Sequence, residues 1–169
     1  MAAGQRRFAV MGDNTFTIAN MLMKNQRICR LLKYQTRNPF ADEENGKPQP
    51  DVDGAELINK QILIIPKVFD DSTLKMSYIT AIFDDFTVNQ LNPEFKVSTV
   101  RFDIACPYDE WMLDKESLRP YLIMQEIDTM FNGGKLAGIG NLQFWRADAL
   151  TLSPWIGGYS MRYKINEFN

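Results

Sequence analysis

The sequence predicts an α+β domain in which an antiparallel or mixed β-sheet of about five strands carries two main helices on one face. Three observations lead there. The chain has 169 residues, 45% of them apolar, which is enough for one continuous core and gives no reason to divide it. Two stretches repeat apolar residues at helical spacing, and five others have the β-branched and aromatic texture of strands. Their order is helix, strand, strand, strand, helix, strand, strand. That order favours a sheet with helices on one side over a doubly wound parallel sheet.

Residues 1–13 are small and without periodicity and read as a flexible N-terminal arm, leaving 14–169 as the single domain. From Asn14 or Thr15 the pattern becomes helical: Ile18, Met21, Leu22, Ile28, Leu31 and Leu32 share a stripe, with Arg27, Arg30 and Lys33 off it. This helix ends before Asn38-Pro39. The stretch 38–53 collects three prolines, a glycine and five acids, and reads as a long exposed loop. A short helical turn over Gly54–Lys60 leads to a brief strand at Ile62–Pro66, then to a turn at Asp70, Asp71 and Ser72.

Ser77–Phe86 and Lys96–Cys106 read as strands that pair as a hairpin, although the connection Val88–Phe95 is long for one. Ser117 reads as the N-cap of the second helix, with Pro120 in its first turn and Gly133-Gly134 as its stop. Ile123, Met124, Ile127, Met130 and Phe131 form its apolar stripe. Asn141–Leu152 and Tyr159–Phe168 read as two further strands around a Pro154–Gly158 turn, and Tyr159, Met161, Tyr163 and Ile165 alternate onto one buried face.

The chain contains no histidine, which removes the commonest general base and metal ligand together. Asp70-Asp71 and Asp84-Asp85 are adjacent pairs whose side chains point to opposite faces of a strand, so neither makes a two-carboxylate site. Asp84 with Asp103 across the hairpin is the one arrangement that could hold a hard cation. DVDG at Asp51–Gly54 lacks the further acids of a calcium loop and reads as a turn. GGKLAGIG at Gly133–Gly140 follows a helix and precedes a strand, the reverse of a phosphate loop, and reads as a helix stop plus loop. No catalytic residue, cofactor or metal site is expected, and the chain does not read as an enzyme. Cys29 and Cys106 read as buried reduced thiols.

No apolar run approaches the roughly 20 residues of a membrane span, and no apolar region follows Arg6 and Arg7 to make a secretory signal. Net charge is −2, which argues against a dedicated nucleic-acid binder, yet the charge is two-ended. Residues 1–37 hold seven basic side chains against Asp13 alone. Arg27, Arg30, Lys33 and Arg37 are therefore expected at an interface with an acidic partner. Trp111, Trp155 and Tyr159 are the aromatic interface residues expected, Trp155 first because it sits in a turn where full burial is hard.

The segments KNQRICRLLKYQTRNPF (Lys24–Phe40), VSTVRFDIACPYDEW (Val97–Trp111), LRPYLIMQEIDTMFNG (Leu118–Gly133) and GGYSMRYKI (Gly157–Ile165), in that order, resemble the tail-terminator and related neck proteins of tailed bacteriophages. The resemblance implies a structural virion protein of the neck or tail, assembled in the host cytoplasm. It implies a homo-oligomer, usually a hexameric ring, that caps the tail tube protein and joins it to a head-side connector or stopper. The sheath is a further partner to consider. A stopper, an adaptor, a sheath-contacting neck protein or a non-phage interaction adaptor shares the outline. The 38–53 insertion and the N-terminal arm depart from the simplest terminators.

Overall fold

The computed structural model describes residues 7–42, 44–66, 75–88, 96–115, 117–136 and 140–166. The expected turn at Asp70–Ser72 and the connection after Val88 lie outside these residues, as do residues 1–6 of the expected arm. The order of elements is α1 (Arg7–Lys24), α2 (Gln26–Lys33), β1 (Ile62–Leu63), β2 (Tyr78–Val88), β3 (Lys96–Pro107), β4 (Met112–Leu113), β5 (Ser117–Leu118), α3 (Arg119–Phe131), β6 (Lys135–Leu136), β7 (Gly140–Thr151) and β8 (Ile156–Asn166).

The α+β class holds, with a mixed sheet. Six strands run in the order β1-β2-β3-β8-β7-β6, and β4 with β5 forms a separate two-stranded ribbon. Among the described strands only β1 is parallel to its neighbour. The expected hairpin pairs β2 with β3 antiparallel, from Tyr78 opposite Ala105 to Val88 opposite Lys96, and a bulge lies between Asp84 and Thr87. β8 inserts between β3 and β7, placing Phe102 opposite Met161 and Ala147 opposite Met161 on its other side.

Alternation decides which face is covered. Val100, Phe102, Ile104 and Cys106 of β3 and Met161 and Tyr163 of β8 join the core with Ile18 and Leu22 of α1, Ile28 and Leu31 of α2, and Ile123, Ile127 and Phe131 of α3. Phe102 stacks on Phe131 at 5.0 Å and meets the edge of Tyr163 at 5.8 Å. Each such pair adds about 1 kcal/mol beyond area burial. The other face of the sheet holds ion pairs: Arg101 to Asp84 and Asp103, and Arg162 to Asp148 and Asp85.

The first helix differs from the sequence reading in two ways. It begins at Arg7, so residues 7–13 belong to α1 rather than to a flexible arm. It also breaks at Asn25, whose side-chain oxygen accepts from the backbone N–H of Arg27 and Ile28 and caps α2. The apolar stripe continues across the break, which is why spacing alone shows one helix. α2 ends at Lys33. A second correction concerns Ser117, which lies in β5 opposite Leu113. The cap residue of α3 is Leu118, which supplies no side-chain bond, and the N–H of Arg119 is instead satisfied by the carbonyl of Trp111 at 2.8 Å.

The 38–53 loop is tied down at both ends. Asp42 accepts from the backbone N–H of Gly46, at φ +66°, and donates its own N–H to Lys47, closing a tight turn. Gln26 bonds both the N–H and the carbonyl of Val52, and the Tyr34 hydroxyl donates to the Pro50 carbonyl. Residues 44–48 at its tip are exposed. At the base, Asp53 caps a 3₁₀ turn over Gly54–Leu57 by accepting from Ala55. A Cβ at Gly54 would come within 2.0 Å of the Met23 carbonyl oxygen, so only glycine allows α1 this close.

Candidate functional site

Among the described residues, a row of exposed and half-buried aromatic side chains gathers at the end of the sheet where β3 leaves and β8 begins. β3 ends at Pro107 in a 3₁₀ turn, Tyr108–Glu110, and the N–H of Tyr108 donates to the carbonyl of Trp155 at 2.9 Å. This joins the turn to the β7–β8 connection. There the Ser153 hydroxyl accepts from the N–H of Trp155 and of Ile156, a local turn that leaves the indole of Trp155 71% exposed.

Four rings follow one another across the surface. Tyr108 lies 5.3 Å from Trp111, Trp111 6.2 Å from Tyr159, and Tyr159 5.2 Å from Tyr121, with the two tyrosine hydroxyls hydrogen-bonded at 2.8 Å. That hydrogen bond raises the Tyr159 hydroxyl above its ordinary value, so it stays neutral and bonded in the physiological range. Trp111 is half-buried and donates its indole N–H to the Cys106 carbonyl. Tyr121 and Met112 are exposed. Gly157 is needed beneath: a Cβ there would meet the Tyr108 hydroxyl at 2.2 Å. Asp109 and Asp114 flank the rings and are exposed.

A buried guanidinium holds this end in place. Arg119 has no exposed surface. Its Nε donates to the Glu110 carbonyl, Nη1 to the carbonyls of Leu31 and Tyr34, and Nη2 to that of Thr36. The cation thus sits at the negative C-terminal end of α2 and ties it to the aromatic turn. Burial pulls Arg119 below its ordinary value, while Glu110 favours its charge. Burial also pushes the Glu110 carboxyl up to about 7, against the pull of Arg119.

Sequence reasoning did not single out Arg119 or Tyr121. A basic residue at the first position of a helix opposes the helix dipole, and this is the signal that Arg119 serves something other than its own helix.

The other expected interface residues are placed as follows. Arg27 pairs with Glu126 at 2.5 Å, Arg30 with Asp51 at 2.7 Å, and Lys33 with Glu56 at 3.8 Å. Arg27 also stacks on Phe40 at 4.7 Å. The basic segment and the acidic remainder therefore meet inside the chain. Arg37 is exposed, and its carbonyl accepts from Asp114 beside the aromatic end. Trp111 and Tyr159 come together with Tyr108, and Trp155 is joined to Tyr108 through its backbone carbonyl, whereas Arg27, Arg30 and Lys33 lie on α2.

The carboxylate pair with cation potential is bridged from within: Arg101 bonds both Asp84 and Asp103, and Asp103 also accepts from the Ser160 hydroxyl at 2.6 Å. Asp70-Asp71 lies outside the described residues. Among the described residues no cluster of three or more His, Cys, Asp or Glu is arranged for a metal ion, and no helix is long and apolar enough to cross a membrane. Cys29 and Cys106 are free and buried. Burial pushes their thiols up to about 11 and about 12.

No match was found among curated proteins or among solved structures. The YomW family model matches residues 25–165, from the capping residue of α2 to the penultimate residue of β8. The chain therefore belongs to the YomW family, whose name points to a phage-derived protein.

Proposed function

We propose that the protein is a structural component of a phage neck or tail, a ring-forming tail terminator that caps the tail tube and joins it to the head-side connector. The observation that carries this reading is the aromatic end: the rings of Tyr108, Trp111, Tyr159 and Tyr121 follow one another, Trp155 is exposed on the strand connection whose backbone is bonded to Tyr108, and a buried arginine ties the turn to α2. Clustered tyrosine and tryptophan on a rigid support are the usual anchors of protein interfaces. Exposed apolar side chains in such number cost solubility unless a partner covers them. The family name and the order of the segments give the phage setting. In a ring, the aromatic end of each copy would form a repeated docking surface for a neighbouring ring.

The experiment is mass photometry of the purified chain with negative-stain imaging in the presence of purified tail tubes. Rings seated on tube ends are the expected result. A chain that binds neither tubes nor connectors would remove the reading. Trp155→Ala should fold normally and seat poorly.

A further inference from the structure

We propose that Tyr121 and Tyr159 form a site of oxidative cross-linking, at which a one-electron oxidant of the peroxidase and peroxide class joins the two rings carbon to carbon and fastens α3 to β8. This goes beyond the phage reading and does not depend on it.

Of the six tyrosines in the chain, these two form the tyrosine–tyrosine ring contact found among the described residues. Tyr163 is buried and donates to Asp128, Tyr34 donates to the Pro50 carbonyl, and Tyr108 meets Trp111. The ring centroids of Tyr121 and Tyr159 are 5.2 Å apart but their hydroxyl oxygens only 2.8 Å, so the rings converge toward their hydroxyl ends. The ortho carbons lie at those ends. In an ortho-linked pair of phenols the two hydroxyls are neighbours within hydrogen-bond reach, and the folded chain already holds them that way. Each ring stands on a fixed element. Tyr159 lies in β8 between Ile104 of β3 and Ala149 of β7, and Tyr121 follows the buried Arg119 and Pro120 in the first turn of α3. Reacting groups held side by side couple far faster than the same groups free in solution. Tyr121 is 50% exposed, so an oxidant reaches it and water takes its proton.

Each oxidation takes one electron and the phenolic proton from one tyrosine, and the proton passes to water. The two phenoxyls then pair their electrons in a new bond between one ortho carbon of each ring. The hydrogens on those carbons leave as protons while the two oxygens are reprotonated, which restores both phenols. The chain loses two electrons and two protons in all, and one peroxide is reduced to two waters. The link spans 38 positions of sequence and restricts the unfolded chain as a disulfide does. It acts at the end of α3 where Leu118 supplies no side-chain cap.

The test treats the whole chain in dilute solution with peroxidase and hydrogen peroxide, followed by dityrosine fluorescence, peptide mapping by mass spectrometry and a thermal melt. The expected product is a chain two hydrogens lighter, linked from Tyr121 to Tyr159, with a raised melting temperature. Tyr121→Phe, at an exposed position, should stay folded and lose the fluorescence, whereas Tyr34→Phe should keep it. Oxidation of the urea-unfolded chain should lose the preference for this pair. No link, full fluorescence in Tyr121→Phe, a main link from Tyr159 to Trp111 or between copies, or an unchanged melting temperature of the linked chain would overturn the proposal.

Discussion

The Nε of Arg119 donates to the carbonyl oxygen of Glu110 at 3.0 Å, and through this bond the C-terminal end of α2 is fastened to the turn that bears Tyr108 and Trp111. Three further carbonyls, of Leu31, Tyr34 and Thr36, depend on the same guanidinium. Arg119→Met keeps most of the volume and removes every donor. Buried carbonyls left without partners make this costly, about 3–5 kcal/mol. Urea unfolding should show the loss. A change under 1 kcal/mol would mean that water replaces the guanidinium.

Glu110 makes stability depend on pH in a definite sense. Burial raises its carboxyl from 4.5 to about 7 in the folded chain, so between those values the folded state holds a proton that the unfolded state releases. Its contribution is full below about 4.5 and is lost as pH rises through 7. Glu110→Gln removes the titration. The melting temperature of the wild type minus that of Glu110→Gln should fall from pH 5 to pH 8; a flat or rising difference would contradict the burial of this carboxyl.

Both cysteines should be silent in the folded state. Cys29 and Cys106 are buried, and burial raises both thiols far above neutral pH, so little reactive thiolate is present. Titration with a thiol reagent at pH 8 should find no fast-reacting group in native protein and two after unfolding. One fast-reacting thiol in native protein would show that α2 or β3 opens locally.

What the sequence made legible was local in origin. The alternation of Tyr159, Met161, Tyr163 and Ile165 places one face of β8 on the core because side chains alternate in any strand; the structure buries Met161 and Tyr163 fully and leaves Tyr159 and Ile165 half-buried at the two ends. Trp155 was legible as exposed because it occupies a turn. The break at Asn25 was hidden because the apolar stripe runs on through α2, although asparagine is a good cap. Arg119 was illegible for a different reason: its four carbonyl partners come from segments over 80 residues away in the chain, except for Glu110. The internal pairing of Arg27 with Glu126, 99 residues apart, was hidden in the same way.

Those α2 pairs differ in worth. Glu126 is 15% exposed in its side chain and also accepts from Asn25, whereas Lys33 and Glu56 are both well exposed. Arg27→Ala should therefore cost on the order of 1 kcal/mol, with lost stacking on Phe40 included. Lys33→Ala should cost less than about 0.5 kcal/mol. Raising salt should narrow the gap by screening. If reversing Arg27, Arg30 and Lys33 together abolished assembly without loss of stability, α2 would be an interface in its own right.

Trp111 and Trp155 separate structure from assembly at the aromatic end. Trp111 is packed against the core and donates to the Cys106 carbonyl, so Trp111→Ala loses both apolar contact and a hydrogen bond. A half-buried tryptophan of this kind is worth about 2–3 kcal/mol. The Trp155 indole is largely in solvent, and Trp155→Ala should change stability by less than about 0.5 kcal/mol. An anchor in a protein interface loses about 2 kcal/mol or more of binding on truncation to alanine, at least roughly 30-fold in affinity. Binding of Trp155→Ala to purified tail tubes or to copies of itself, measured beside its melting temperature, therefore gives two independent numbers. Unchanged stability with weakened assembly is the expected pair. Unchanged assembly would remove Trp155 from the interface and leave Tyr108, Tyr121 and Met112 as the exposed positions to truncate next.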